Sequence, residues 1–256
     1  MKSFLLSLYT CTLSKKAQVE KYQEKIREFE WSTIERFLPE NKCFLDVGCG
    51  TGFNMLKAQQ SKKHDVWGID PDPGAHGVGR FQDNNILSNN IQKATAEAIP
   101  FSDKQFDVVF SSHVLEHVED KNQSLSEMKR VLKDDGLLII GMPTAAMAFI
   151  NLLTQWLFTT HIRIVNFFFK GLINTAENTR FKHIFFPPSH SYPDSKTILY
   201  DLQHYQITNW NNIISKEFNV HQILTPALYP YPDYVQWFPI LKIKGISSSV
   251  FFVCSK

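Results

Sequence analysis

What this sequence lacks narrows its class before any motif is read. Only four cysteines occur (Cys11, Cys43, Cys49 and Cys254), with no CxxC pair and no His/Cys metal spacing. That excludes a disulfide framework and a His/Cys metal site, and fits reduced thiols in a cytoplasmic protein. No metal is assigned, although the His113, Glu116 and His117 cluster leaves a divalent cation open. No sign of charge dominates either: 27 Lys and Arg face 25 Asp and Glu, a net of +2. A dedicated nucleic-acid binder needs a basic stripe for phosphates, so no nucleic-acid partner is expected. Internal repeats and low-complexity tracts are missing. The apolar run in residues 2–13 is interrupted by Ser7, Thr10 and Thr12 and has no small-x-small cleavage site. It reads as a helix or arm rather than a cleaved signal. With 43% apolar residues among 256, the chain suits one large domain or one domain with an insert.

Charge is distributed unevenly. Residues 1–140 carry 18 basic and 20 acidic side chains, whereas residues 141–256 carry only 9 and 5. The thinning after residue 140 marks where a scaffold ends and an elaboration begins.

Residues 15–38 set Val19, Tyr22, Ile26, Phe29 and Ile34 among charges at helical steps, predicting one or two amphipathic helices ended by Pro39. Apolar strands are expected at 43–47, 66–69, 106–111 and 137–140, with helices at 53–60 and 121–133 between them. Runs at 218–224 and 249–254 would close the sheet, one of them as an antiparallel edge. Strands alternating with helices predict an α/β fold: a doubly wound, mostly parallel, Rossmann-like sheet with helices on both faces, plus a helical, aromatic-rich insert. The expected division is a helical arm over 1–39, a cofactor-binding core over 40–143, an insert and acceptor-binding cap over 144–217, and closing strands over 218–256.

The chemistry concentrates at Asp46-Val-Gly48-Cys49-Gly50-Thr-Gly52. Alternate glycines after a strand permit a tight turn and close approach of a ligand. The spacing is DxGxGxG; Phe53 stands where a dinucleotide GxGxxG motif needs its third glycine. Asp46 would repel a pyrophosphate and attract an ammonium, so the implied cofactor carries a positive amino group and no phosphate. Such a pattern arises by chance in about 0.4% of chains this long, at ~5% Asp and ~7% Gly. Asp70 ends the next strand, where an acid can take a ribose diol.

LDVGCGTG at 45–52, GIDPDP at 68–73, ATAEAIPF at 94–101, FDVVFSSHVLEHVED at 106–120 and VLKDDGLLI at 131–139 together resemble the class I S-adenosylmethionine-dependent methyltransferases. The resemblance spans roughly residues 40–143 and implies S-adenosylmethionine as cofactor. It further implies that Asp46 and the turn Gly48, Cys49, Gly50 and Gly52 surround the methionine part, that Asp70 with Pro71 meets the ribose, and that Ala96, Ser111 and Ser112 lie near the adenine. Thr95 stands where the family often has an acid, which passes the adenine amino group to Glu97 or to backbone.

Methyl transfer from a sulfonium is an in-line displacement, for which positioning alone supplies roughly 7–11 kcal/mol. An oxygen nucleophile also needs a proton removed, and His is suited to that at neutral pH. His113, Glu116 and His117 follow the strand that ends near residue 111, on the lip where doubly wound sheets hold ligands. His113 is the leading candidate base and His190, in a proline-rich loop, the second. The local sequence is similar to ubiquinone-biosynthesis O-methyltransferases, which carry Glu in place of His113. A cofactor-binding protein of this fold without turnover is the non-enzymatic alternative.

Residues 136–162 contain no Asp, Glu, Lys or Arg. Within them, apolar 149, 152, 153, 156 and 157 oppose polar 151, 154 and 155 with helical periodicity. Such a helix either packs on the domain as a lid or lies in a membrane interface. Phe167-Phe168-Phe169 and the flanking Arg163, Lys170, Arg180 and Lys182 favour peripheral membrane contact through 144–182, at the inner face of a membrane. In layout the insert is similar to that of bacterial methyltransferases of surface-polysaccharide or lipid-linked sugar assembly. A small-molecule, sugar or lipid-linked acceptor is therefore expected, methylated at oxygen.

Overall fold

The computed structural model describes residues 16–75, 89–168, 185–230 and 238–256. The expected arm before residue 16 and the insert residues 169–182 lie outside these, as do the side chains of Arg163, Phe167 and Phe168. The elements in chain order begin with helix α1 (Lys16–Ile34), a short 3-10 turn (Glu35–Phe37), strand β1 (Cys43–Val47), helix α2 (Phe53–Lys62), and strands β2 (Asp65–Asp70) and β3 (Ile91–Lys93). Strand β4 (Phe106–Ser112), helix α3 (Lys121–Val131), strand β5 (Leu132–Pro143), and helices α4 (Ala145–Phe168), α5 (Ile198–His204) and α6 (Ile207–Ile214) follow. Strands β6 (Asn219–Leu224) and β7 (Ser249–Ser255) complete the series.

Seven strands form one sheet in the order β3-β2-β1-β4-β5-β7-β6. All pairs from β3 to β5 are parallel, and β7 runs antiparallel to both β5 and β6. The antiparallel strand is therefore not the edge, as expected from sequence, but the last but one. Its burial explains the composition: β7 is buried along nearly its whole length, while β6 at the rim leaves Asn219, His221, Gln222 and Ile223 exposed. A second departure lies at Asp134-Asp135-Gly136. The predicted helix to 133 ends at Val131, and these three residues enter the start of β5, whose register shifts opposite Phe106 and Val108.

The apolar runs meet as a row of rings. Phe110 of β4 stacks on Phe44 of β1 (centroids 6.0 Å) and on Phe251 of β7 (6.5 Å), and Trp31 of α1 meets it edge-on at 6.2 Å. Gly141 of β5 makes room for Phe251, because a methyl there would overlap its ring. Asp120 caps α3, its carboxylate accepting from the backbone N–H of Asn122 and Gln123, both at 3.0 Å. Such a cap contributes about 1 kcal/mol.

The chain divides into two compact units. One comprises Glu24–Pro143, Ile207–Pro226 and Ser249–Lys256 and holds the whole sheet. The other comprises Met1–Gln23, Thr144–Gln206 and Ala227–Ser248 and holds α4 and α5. Within the sheet unit the winding reverses between β1 and β4, and the carboxyl ends of those strands are where such a sheet opens a crevice.

Candidate active site

The turn after β1 is fixed by the end of β2. Gly48 and Cys49 both donate their N–H to the Ile69 carbonyl, at 2.8 and 3.0 Å. Gly50 donates to Asp70 Oδ2 at 2.8 Å, and Asp72 N–H donates to Asp70 Oδ1 at 2.8 Å. Gly48, Gly50 and Gly52 have φ of +77°, +52° and +72°, conformations that a side chain strains. Gly48 is required twice over, since a Cβ there would run into the methyls of Val114. Asp70 therefore has a structural duty beside its expected one. It braces the glycine turn from β2, and its oxygens keep lone pairs for further donors.

Asp46 presents the sharpest electrostatic anomaly. It is 1% exposed, and no described residue makes a well-formed hydrogen bond to either carboxylate oxygen. Burial and then the charge of Asp70 push its carboxyl up to about 8; the Asn54 amide and Arg27 pull only partly the other way. A buried carboxylate without a partner costs several kcal/mol unless a cation or donor meets it. On the neighbouring strand, the hydroxyls of Ser111 and Ser112 are also buried without a partner, and Ser111 pairs in register with Val47. Orphaned groups thus gather at the carboxyl ends of β1 and β4 beside a glycine cradle. This set fits a ligand bearing an ammonium and several hydrogen-bonding groups, as S-adenosylmethionine does. Asp46, the Gly48–Gly52 turn and Asp70 would hold it, with Ser111 and Ser112 alongside.

The remaining expected contacts are placed less sharply. Cys49 is buried, and burial raises its thiol above the usual range, so it is a packed wall of the turn rather than a nucleophile. Pro71 is exposed and Ala96 buried. Glu97 accepts from the backbone N–H of Glu119 at 3.1 Å. Arg130 of α3 ties down the segment after it, donating to the carbonyls of Ile99 and Phe101 at 2.8 Å each.

His113 lies just past β4 with φ of +58°, its N–H donating to the Gly141 carbonyl at 2.9 Å. A non-glycine residue held there costs of order 1 kcal/mol and points to a constrained site. Its ring stands between two buried carboxylates: Nε2 is 3.7 Å from Glu30 and Nδ1 is 3.5 Å from Glu116. Glu30 in turn takes Arg27 Nη1 at 2.7 Å. Burial and Arg27 would strip the His113 proton, but Glu116 and Glu30 outweigh them and hold it on above the ordinary imidazole range. Burial likewise opposes the charge on Glu30, yet Arg27, His113 and Ser249 keep it ionised far down the pH scale.

The sequence reading singled out neither Glu30 nor Arg27. The signal for Glu30 was present: it falls four residues from both Ile26 and Ile34, directly on the buried stripe. His190 belongs to the other unit, where its backbone N–H and the Ser189 hydroxyl, at 2.8 and 2.5 Å, both donate to Asp201. A surface cavity of about 380 Å³ beside α6 and β6, lined by Asn211, Phe218 and His221 among others, contains none of the expected site residues.

Residues 45–140 match the family model described as a methyltransferase domain. A tRNA U34 carboxymethyltransferase of Nautilia profundicola is 28% identical over 228 residues, covering 84% of this chain and 70% of that protein. The namesake of Histophilus somni is 33% identical over 122 residues, 44% of this chain and 36% of that protein. An uncharacterised methyltransferase of Mycobacterium is 31% identical over 111 residues, 43% and 42% of the two chains. Apart from the first, the chain spans well under half the length of these curated relatives. Among solved structures, an S-adenosylmethionine-dependent methyltransferase of Thermotoga maritima superposes with a TM-score of 0.52 at 18% identity, covering 93% of this chain and 91% of its own. One from Mesorhizobium loti gives 0.51 at 14%, covering 89% and 98%. These two likenesses concern the fold.

Proposed function

We propose that this chain, a class I S-adenosylmethionine-dependent methyltransferase by its domain at residues 45–140, methylates an oxygen of a small molecule, sugar or lipid-linked saccharide. The cofactor supplies an electrophilic methyl on a sulfonium. One observation carries the cofactor placement: Asp46, buried without a partner beside three positive-φ glycines. Ionised Asp46 would pair with the amino group, the glycine turn would let the ligand approach the backbone, and Asp70 would accept from the ribose hydroxyls. Ala96, Ser111, Ser112 and Glu97 are the proposed adenine side.

Transfer forms a bond from acceptor oxygen to methyl carbon, breaks the carbon–sulfur bond and releases the oxygen's proton. His113 is the proposed acceptor-side group. Because both ring nitrogens face carboxylates, it acts as part of a Glu30–His113–Glu116 unit that orients the acceptor hydroxyl and, in its neutral form, takes up the departing proton and passes it to solvent. His190 is a separate proposal for acceptor orientation, tested by His190→Ala.

A second acceptor class is favoured by one finding, the likeness over 84% of the chain to a protein named for action on tRNA. Incubating the protein with methyl-labelled cofactor and a fractionated cell extract separates the two. Label in the lipid or sugar fraction supports the first reading, label in RNA the second, and label nowhere leaves the non-catalytic alternative.

A further inference from the structure

Helix α4 turns polar groups inward and large apolar groups outward. It buries Asn151 (7% exposed) and Thr154 (3%) together with Met147, Ala148 and Ile150. Its large apolar side chains turn outward instead: Phe149, Leu153, Trp156 and Leu157 are 42–59% exposed, at steps of four, three and one that place them on one stripe. The inward polar groups are provided for, since the Thr154 hydroxyl donates to the Ile150 carbonyl at 2.7 Å. The outward apolar groups are not. A contiguous stripe of this kind on a protein surface marks a contact with something apolar.

Charge identifies the occupant. The unit containing α4 has 11 Lys and Arg against 5 Asp and Glu, net +6, while the sheet unit has 16 against 20, net −4. From Gly136 to Ala176 the sequence contains no Asp or Glu at all. In the same unit Ile243 and Ile246 are exposed on a turn next to Lys242 and Lys244. Apolar stripe and positive charge together match a surface that is apolar beneath and anionic above. A second copy would bring another net +6 against the first, which disfavours self-association of this face. No helix among the described residues is long and apolar enough to cross a membrane, so the contact in question is with one leaflet.

We infer that α4 lies on anionic lipid, with Phe149, Leu153, Trp156 and Leu157 inserted below the headgroups and the net positive charge of its unit favouring the anionic surface. This goes beyond the methyl-transfer reading and stands or falls separately from it. Flotation of the full chain tests it, using phosphatidylcholine vesicles with and without a quarter of phosphatidylglycerol. Wild type should float with the anionic vesicles, and added salt should weaken that binding because it screens the charge contribution. Phe149→Ser/Trp156→Ser should lower the vesicle partition constant by at least about tenfold, with cofactor affinity unchanged as the sign that the fold is intact. Quenching of wild-type tryptophan fluorescence by brominated lipid gives a readout that needs no variant. Wild type remaining unfloated, or the double variant binding as wild type does, overturns the inference. So does a wild-type dimer that ignores vesicles and that the double substitution converts to monomer, which would make a second copy the occupant.

Discussion

The two units of this molecule solve opposite problems. Of thirteen large apolar side chains left exposed among the described residues, twelve belong to the unit containing α4, and the sheet unit exposes only Ile223. The sheet unit hides its apolar groups so completely that its anomalies are polar: Asp46, Ser111 and Ser112 are buried with nothing to meet. In the other unit the anomaly is reversed, with Thr154 and Asn151 inside and Phe149 and Trp156 outside. Each anomaly states what is missing. On the proposals above, the first would be met by a polar, cationic ligand and the second by an apolar surface.

Substitutions can break this comparison on the sheet side first, where effects are largest. Gly48→Ala forces a side chain into φ of +77° and against Val114. It should lower S-adenosylmethionine affinity by about 100-fold and cost about 1–3 kcal/mol of stability, both read by calorimetry and denaturant titration. Asp70→Ala comes next. Besides the proposed ribose contact it loses the brace on Gly50 and Asp72, so affinity should fall about tenfold or more and stability by about 1–2 kcal/mol. An affinity equal to wild type would remove Asp70 from the site.

Glu30→Gln sharpens the acceptor side. Turnover should fall about tenfold with cofactor affinity unchanged, and the imidazole should lose its proton at lower pH once one carboxylate is neutral. The sign follows from linkage. The folded state raises the His113 pKa, so its stabilising contribution is full below the ordinary imidazole value and fades as pH rises through the raised one. In Glu30→Gln that fading should be complete at lower pH. A pH–rate profile identical to wild type would show that the cluster is structural only. The smallest effect belongs to the other unit. Because Leu153 is 42% exposed, Leu153→Ser should change stability by no more than about 0.5 kcal/mol. A larger loss would mean that the stripe is covered after all.

How far the sequence could be read follows the same division. The strand, alternate-glycine turn and strand-end Asp70 were legible because each is a local pattern with one steric solution. Strands β1, β2, β4 and β5 were legible as apolar runs; β3 was not, because it is three residues long and none of them is buried. The place of β7 was not, because both closing runs are short and apolar, and only burial in the fold distinguishes the interior strand from the rim. Glu30 escaped because a charge on an amphipathic helix reads as solvated, although its position between Ile26 and Ile34 was visible. The periodicity of α4 was legible but its orientation was not: opposed polar and apolar faces do not say which one turns inward.

Asp46 carries the central claim, and calorimetric titration of S-adenosylmethionine into wild type and Asp46→Asn tests it most directly, run beside thermal melts from pH 5 to 9. Without ligand, folded Asp46 keeps its proton up to about pH 8, while the unfolded chain gives it up near 3.8. The folded state therefore binds more protons in that window, and its stability falls as pH rises through it, levelling off above. The account predicts saturable binding by wild type and a loss of about 100-fold or more in Asp46→Asn. It also predicts that the ligand-free variant melts at or above wild type at pH 8, because a buried charge has been removed. Equal affinity in the two proteins, or a variant that binds weakly only because it has unfolded, would contradict it.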